Sequence, residues 1–205
     1  MKLNKITLLL LSLLFLNSCA SGYKTINPTS LNYLSKNVTN NITLEYKYDL
    51  LNNKYKKKES KNDIKLVSVK ITNNSENDIV FGKDIRLAYE NGSEAFILEN
   101  ERVFKTIKQS PTSHLFYLLL SSLRFYKTST LPNGQVVTED GFPIGLIIGP
   151  GLAGGNMIAA SAANSNFKKE LEANNIIGKT IKKGETIFGL VGVQSKSYEA
   201  LKLKQ

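Results

Sequence analysis

Residues 66–92, "LVSVKITNNSENDIVFGKDIRLAYENG", join two strand-like runs through a turn. The first run, residues 66–71, is rich in Val and Ile, which favour strands. Residues 72–78, "TNNSEND", are mostly Asn, Ser, Asp and Thr, and these residue types favour turns. The second run covers residues 79–90, where Ile85, Leu87 and Tyr89 alternate with Asp84, Arg86 and Ala88. Asn91-Gly92 is a compact hairpin signal, so the stretch predicts antiparallel strands that bury one face.

The same period of two returns on both sides of this stretch. Before it, apolar and polar residues alternate over residues 42–48, with Ile42, Leu44, Tyr46 and Tyr48 on one face. After it, residues 95–107 are predicted to supply a fourth strand. Thr186–Val193 and Tyr198–Lys204 are predicted to supply two late strands. Several short strands separated by turns are typical of an antiparallel sandwich, so the sequence predicts a mainly β fold.

Two stretches together resemble the immunoglobulin-like domains of bacterial envelope proteins. They are the quoted residues 66–92 and the late "IKKGETIFGLVGV", residues 181–193, with Gly184-Glu185-Thr186-Ile187-Phe188-Gly189 as the matching late strand. The resemblance implies an antiparallel immunoglobulin-like β-sandwich. It implies no catalytic residues.

The middle of the chain, residues 108–178, interrupts the strand pattern and is interpreted as a largely helical insertion. Pro111-Thr112-Ser113 could begin a helix, and residues 114–126, "HLFYLLLSSLRFY", are apolar on most sides. Residues 131–143 are predicted to form a loop or short hairpin. Residues 151–175 are interpreted as a glycine-rich turn feeding a helix, whose apolar stripe is Ala160, Ala163, Phe167 and Leu171.

The start of the chain has the pattern of an export signal. Lys2 and Lys5 precede an apolar run from Ile6 to Leu16, which is shorter than the roughly 20 residues of a spanning helix and typical of a signal peptide. Leu16-Asn17-Ser18-Cys19 resembles the lipobox of bacterial lipoproteins. That resemblance implies cleavage after Ser18 and acylation of Cys19, which is the lipid attachment residue.

This assignment sets the predicted domain organisation and location. Residues 1–18 are a lipoprotein signal peptide, residues 19–40 a lipid-anchored tether, and residues 41–205 the sandwich domain with its insertion at about 108–178. The lipid anchor makes a membrane the first predicted partner. We expect the protein in the bacterial cell envelope, anchored in the outer membrane and facing the periplasm.

The net charge of the 205-residue chain is +10, and it falls to about +8 when Lys2 and Lys5 are removed with the leader. An exported basic protein is expected to meet anionic membranes, envelope proteins or acidic glycans rather than nucleic acid. Cys19 is the only cysteine, so we expect no disulfide and no thiol catalysis.

Candidate catalytic residues are few. His114 is the sole histidine, and it is interpreted as a surface or capping residue. No metal site and no cofactor are expected, because one histidine leaves mainly carboxylates as ligands. Paired acids could hydrolyse glycosides, but nothing in the sequence marks these pairs as buried: Glu99 with Glu101, Glu139 with Asp140, and Glu170 with Glu172. We therefore expect a protein that is not an enzyme.

Two further stretches each have two interpretations. The lysines at 54–61 could bind an anionic surface or form a solvated turn between strands; they are Lys54, Lys56, Lys57, Lys58 and Lys61, with Tyr55 among them. Residues 141–167 carry no charge after Asp140, and glycines recur at four-residue spacing, as Gly145 with Gly149 and Gly151 with Gly155. Such spacing permits close approach of membrane helices, but we expect close packing against the sandwich.

Together these features favour a lipid-anchored envelope protein that acts as a binding or assembly module for an unknown ligand. The alternative is a membrane-perturbing or pore-associated lipoprotein that uses the glycine-rich segment 142–163.

Overall fold

The structure, a computed structural model, describes residues 19–205 except for the side chain of Asp140. The predicted signal peptide, residues 1–18, lies outside the described residues. The described chain divides into two compact units. We call residues 23–108 and 164–205 the sheet unit, and residues 19–22 and 109–163 the apolar unit.

The elements follow in chain order. The strands are β1 (Ser35–Thr39), β2 (Ile42–Lys47), β3 (Ile64–Asn73), β4 (Ile79–Val80), β5 (Arg86–Tyr89), β6 (Ile97–Leu98), β7 (Phe125–Thr130), β8 (Val136–Phe142), β9 (Thr180–Ile181), β10 (Thr186–Gln194) and β11 (Leu201–Lys204). The α-helices are α1 (Asn53–Lys61), α2 (Asn100–Ile107) and α3 (Gly145–Ala173), and the 3-10 helices are η1 (Pro28–Ser30) and η2 (Pro111–Ser122).

The sheet unit is built on a five-stranded antiparallel sheet with the order β1-β2-β3-β10-β6. Its central ladder pairs β3 with β10 from Thr72 opposite Thr186 to Ile64 opposite Gln194. Two short antiparallel ladders, β11-β5 and β4-β9, complete the strands of this unit. The predicted strands at 42–48, 66–71 and 186–193 are therefore confirmed, the first as far as Lys47, whereas the strand predicted at 198–204 is confirmed only from Leu201 to Lys204.

One face of the main sheet and the two short ladders share a single hydrophobic core. The main sheet contributes Ile42, Leu44, Tyr46, Val67, Val69, Ile71, Val191 and Val193, and the short ladders and their loops contribute Ile79, Phe81, Ile85, Leu87, Tyr89, Ala95, Ile176, Ile181, Leu201 and Leu203. Alternate residues of β2 and β3 reach this core because successive side chains of a strand point to opposite faces.

Helices cover the other face of the main sheet. The clearest sign is Gly192 of β10, where an added Cβ would lie 2.3 Å from Cγ2 of Val103 in α2. On β3 the backbone N–H of Leu66 donates a hydrogen bond of 2.8 Å to Oε1 of Glu59 in α1. β3 is buried on both faces from Ile64 to Val69, so this stretch holds buried Lys65 and Ser68 as well as its apolar residues.

The prediction of a mainly β protein is wrong, since 32% of the structure is strand and 33% is helix. Helix is also not confined to residues 108–178. Residues 95–107, predicted as one strand, form the two-residue β6 and then α2, in which Val103 and Ile107 are buried at four-residue spacing. The lysine-rich stretch is helix α1, in which Tyr55 and Glu59 are buried at the same spacing.

Residues 79–90 also differ from the prediction of one strand. The chain turns between β4 and β5, and the carboxylate of Asp84 accepts a hydrogen bond of 2.8 Å from the backbone N–H of Val80. The turn predicted at Asn91-Gly92 is confirmed: Gly92 has a φ of +88°, a conformation that glycine adopts without steric cost.

The segment predicted as a tether contains defined contacts with the sheet unit. Tyr23 Oη and the backbone N of Ile26 donate hydrogen bonds of 2.8 Å and 2.7 Å to Oε1 of Glu170. The last residues of this segment form β1, which pairs with β2 along its length.

The apolar unit contains η2, the β7-β8 hairpin and the first 19 residues of α3. The helix begins at Gly145, not after a glycine-rich turn at 151–155, and it includes Pro150. An added Cβ on Gly145 would lie 2.1 Å from the carbonyl oxygen of Leu120, and one on Gly149 would lie 2.5 Å from Oγ of Ser121. Glycine therefore permits close packing of α3 against η2.

Candidate functional site

Cys19 lies within the apolar unit and is exposed. The Tyr117 hydroxyl lies 3.8 Å from its Sγ atom. The next two residues are fixed through their backbone: Ala20 N donates to Oδ1 of Asn156 over 2.6 Å. Ser21 donates to and accepts from the side-chain amide of Gln109, over 3.0 Å and 2.6 Å. The predicted lipid attachment residue is thus accessible and held against η2 and α3.

Exposed apolar side chains are concentrated in the unit that holds Cys19. Sixteen of the 21 large apolar side chains that are exposed in the described chain belong to the apolar unit, which is much the smaller of the two. Ten of them lie on or beside its helices: Leu115, Phe116, Leu118, Leu119, Leu123, Leu146, Ile147, Ile148, Leu152 and Ile158. An apolar surface of this kind marks an interaction site or a membrane contact.

The exposed side of α3 changes character along its length. Gly145, Gly149 and Ala153 are buried, at the four-residue spacing of one helix face. The exposed positions are apolar or small up to Ile158 and become polar at Ser161, Ser165, Asn166 and Lys169. Among residues 19–205, α3 is the one helix whose length and composition would allow it to cross a membrane.

The expectation that the glycine-rich stretch packs closely against the sandwich is wrong for its large apolar side chains. Leu146 and Ile147 are each 62% exposed and Ile158 is 73% exposed. Only the glycine and alanine side of this segment is covered.

The lysines at 54–61 lie on helix α1, not on the solvated turn between strands that was one of their two interpretations, and most of them form a stripe. Lys54, Lys57, Lys58 and Lys61 share one side of the helix, because their spacing is three, four and seven residues. Lys56 lies on the other side and pairs with Asp49 over 2.6 Å. Burial, and then the nearby Lys108 and Lys61, lower the pKa of Lys58. Four of the five predicted anionic-surface residues are therefore brought together.

Glu59 is a buried acid that sequence reasoning missed. It is fully buried, and among the described residues its Oε2 atom has no hydrogen-bond partner. Burial raises the pKa of Glu59, although the Leu66 N–H and the Lys65 ammonium oppose the shift. The available signal was its position four residues after Tyr55, on the buried side of a lysine-rich helix.

Substituting Glu59 with Gln should change how the unfolding free energy depends on pH. Because the pKa of folded Glu59 lies above its ordinary value of 4.5, the folded protein binds more protons than the unfolded chain between the two pKa values. The wild-type unfolding free energy therefore falls as pH rises from about 4.5 through the folded pKa, and then this contribution stays constant. The unfolding free energy of Glu59→Gln minus that of the wild type should therefore be more positive at about pH 8 than at about pH 4. Thermal midpoints measure this, and a pH-independent difference would contradict it.

A cleft in the sheet unit is the second candidate site. Its volume is about 510 Å³, and it is lined by Phe81, Gly82, Arg86, Glu94, Ala95, Phe96, Ile97, Glu99 and Ile177. Its apolar lining includes Phe96, which is 63% exposed. Arg86 and Glu94 form an ion pair of 3.4 Å beside it. A concave, mostly apolar pocket with a few polar groups is typical of ligand sites.

The structure separates the remaining candidates. His114 is buried, contrary to the surface position predicted for it, and its ring stacks on Tyr117 with centroids 6.1 Å apart. Glu101 and Glu172 each form ion pairs with Lys168, while Glu170 accepts the hydrogen bonds from Tyr23 and Ile26. Within the described chain, no three His, Cys, Asp or Glu side chains are grouped so that they could hold a metal ion.

Comparison with known proteins returned no matching family, no matching characterised relative and no matching solved structure. The functional conclusions therefore depend on the residues and geometry described above.

Proposed function

We propose that this protein is a lipid-anchored component of the bacterial cell envelope that acts as a binding or assembly module. In this proposal Cys19 carries the acyl chains, the outer membrane holds the protein, and the sheet unit faces the periplasm. We further propose that the sheet unit is an immunoglobulin-like sandwich. The shared core between the main sheet and the short ladders supports that assignment.

The observation that carries this proposal is the position of Cys19. It ends a sequence that resembles a lipobox, and its side chain is exposed, as acylation requires. It also lies in the unit with most of the exposed apolar side chains. Two or three acyl chains bind a bilayer stably, whereas one chain binds only marginally.

Cys19→Ala is expected to abolish acylation. The fraction of the protein that leaves the membrane then measures how much of the membrane binding depends on the acyl chains. Intact-mass analysis of the wild-type protein should show loss of residues 1–18 and added acyl mass. Ser21→Ala is a matched control, because it keeps both backbone hydrogen bonds of residue 21 to Gln109. A wild-type mature chain with an unmodified Cys19 would refute the lipid anchor.

Acidic glycans or anionic headgroups are the partners that we propose for the lysine stripe of α1. Each lysine near an anionic surface contributes about 1 kcal/mol, so the double substitution Lys57→Gln with Lys61→Gln should weaken binding roughly 30-fold. The matched control is Lys56→Gln, which removes a lysine that is paired with Asp49. Co-sedimentation with anionic vesicles or acidic polysaccharide measures the effect. Equal losses in both variants would show that the stripe has no special role.

The second candidate function is a membrane-perturbing or pore-associated lipoprotein. The exposed apolar side chains of Leu146, Ile147 and Ile158 favour it. Release of a fluorescent dye from vesicles distinguishes the two functions, because a binding module leaves vesicles sealed whereas a pore empties them.

A further inference from the structure

We propose that the apolar unit lies within the membrane interface, with η2 and the first half of α3 in contact with acyl chains and without crossing the bilayer. The proposal rests on the proposed function, because it requires the acyl chains that the proposed function places on Cys19. The occupant of the exposed apolar surface is thus the same bilayer that holds the anchor.

Exposure is the first support for this surface. Phe116 and Leu119 of η2 are 72% and 74% exposed, and Ile147 and Ile158 of α3 are 62% and 73% exposed. The covered side of η2 consists of His114 and Tyr117, at the three-residue spacing of a 3-10 helix. On both helices the covered residues are small or carry polar atoms, and large apolar residues face outward, the reverse of a helix in water.

Charge is the second support. Residues 109–123 and 141–163 contain no Asp, Glu, Lys or Arg. Basic residues follow each segment: Arg124 comes directly after the first, and Lys168 and Lys169 come five and six residues after the second, which the acidic Glu139 and Asp140 precede. Long basic side chains at the ends of an apolar segment reach the headgroup level of a membrane.

The position of the anchor is the third support. Backbone hydrogen bonds of Ala20 and Ser21 to Asn156 and Gln109 hold Cys19 inside this unit. Acyl chains on Cys19 would enter the bilayer beside η2 and α3. A second copy of the chain could also cover an apolar surface, but it would not explain why the lipid attachment residue is held there.

The short length of the exposed apolar surface on α3 and the charges beyond it argue against a span. The exposed apolar positions of α3 run from Leu146 to Ile158, which is about 20 Å of helix against a hydrocarbon core of about 30 Å. A helical hairpin across the membrane would also carry Arg124, Lys127 and Glu139 of the β7-β8 region to the far side. A helix in the interface instead buries its apolar side by about 5–10 Å and leaves such charges in water.

The absence of tryptophan from the chain makes a direct test possible. The lipoprotein is purified from membranes as three single-tryptophan variants, Leu119→Trp, Ile147→Trp and Phe96→Trp, and reconstituted into phospholipid vesicles. Lipids brominated at a shallow or a deep acyl position then quench tryptophans that reach them. Phe96 is the matched control, because it is equally exposed but belongs to the cleft of the sheet unit.

We expect shallow bromines to remove most of the fluorescence of Leu119→Trp and Ile147→Trp, deep bromines to remove much less, and Phe96→Trp to stay unquenched. Stronger quenching by deep bromines would overturn the interfacial placement in favour of a span. Equal, weak quenching at all three positions would overturn membrane contact. Sedimentation that shows self-association of the protein, together with tryptophans that the brominated lipids do not quench, would overturn it as well. Intact mass of the same samples reports acylation separately, so failure of the anchor is distinguishable from failure of this proposal.

Discussion

Replacing Phe167 with alanine is expected to lower the unfolding free energy by about 3–5 kcal/mol, the usual cost of removing a buried phenylalanine. Phe167 is fully buried at the C-terminal half of α3. Its ring lies 5.3 Å from the centroids of both Tyr23 and Tyr55, and 6.2 Å from that of Phe104. The substitution therefore removes the shared contact of the N-terminal segment, α1, α2 and α3.

Chemical denaturation of the Phe167→Ala variant measures this loss, and Phe96→Ala is the matched control. Phe96 is 63% exposed, so its replacement should change the unfolding free energy by no more than about 0.5 kcal/mol. Equal effects of the two substitutions would mean that the helices do not pack through Phe167.

The second large effect is expected from Gly192→Val, which should destabilise the protein by about 1–3 kcal/mol through overpacking. An added Cβ at Gly192 would lie 2.3 Å from Cγ2 of Val103, and Val103 is itself fully buried in α2. The strand cannot move away cheaply, because β10 is paired with β3 on one side and β6 on the other.

A double-mutant cycle identifies the cause of this effect. Val103→Ala removes Cγ1 and Cγ2 and leaves Cβ, which would lie 3.4 Å from the new side chain. The double variant should therefore lose less stability than the sum of the two single variants, as expected for residues in contact. Strict additivity would show that α2 does not cover Gly192.

The two proposed interaction surfaces depend on different forces and respond differently to salt. The lysine stripe of α1 binds through charge, which salt screens over about 8–10 Å. The apolar surface of η2 and α3 binds through burial of hydrocarbon, which added salt does not weaken. Raising the salt concentration in the vesicle experiments should therefore reduce the contribution of Lys57 and Lys61 and leave the quenching of Ile147→Trp in place.

Several strands were predictable from sequence because their burial is one-sided. Residues 42–48 and 201–204 alternate apolar and polar side chains, and both form strands whose alternate residues reach the shared core. The turn at Asn91-Gly92 and a hairpin within the middle segment were predictable for a different reason, since their chemistry is local. The assignment of Cys19 also depends only on local sequence, and it stays a prediction.

Tertiary structure decided the features that local pattern does not encode. Residues 100–107 and 53–61 contain few apolar residues, and only the folded chain shows that Val103, Ile107 and Tyr55 lie on buried helical faces. The cleft combines residues as far apart as Phe81 and Ile177, so no local window contains it.

The apolar unit shows most clearly that local sequence does not determine which side chains are buried. Its sequence established that residues 109–123 and 141–163 are uncharged and rich in glycine and aliphatic residues, which is compatible with either a buried core or a lipid-facing surface. Only the fold shows that Gly145 and Gly149 face η2 while Leu146 and Ile147 remain exposed. The physical reason is that hydrophobicity is a property of the side chain, whereas burial depends on which neighbours the whole chain brings to it.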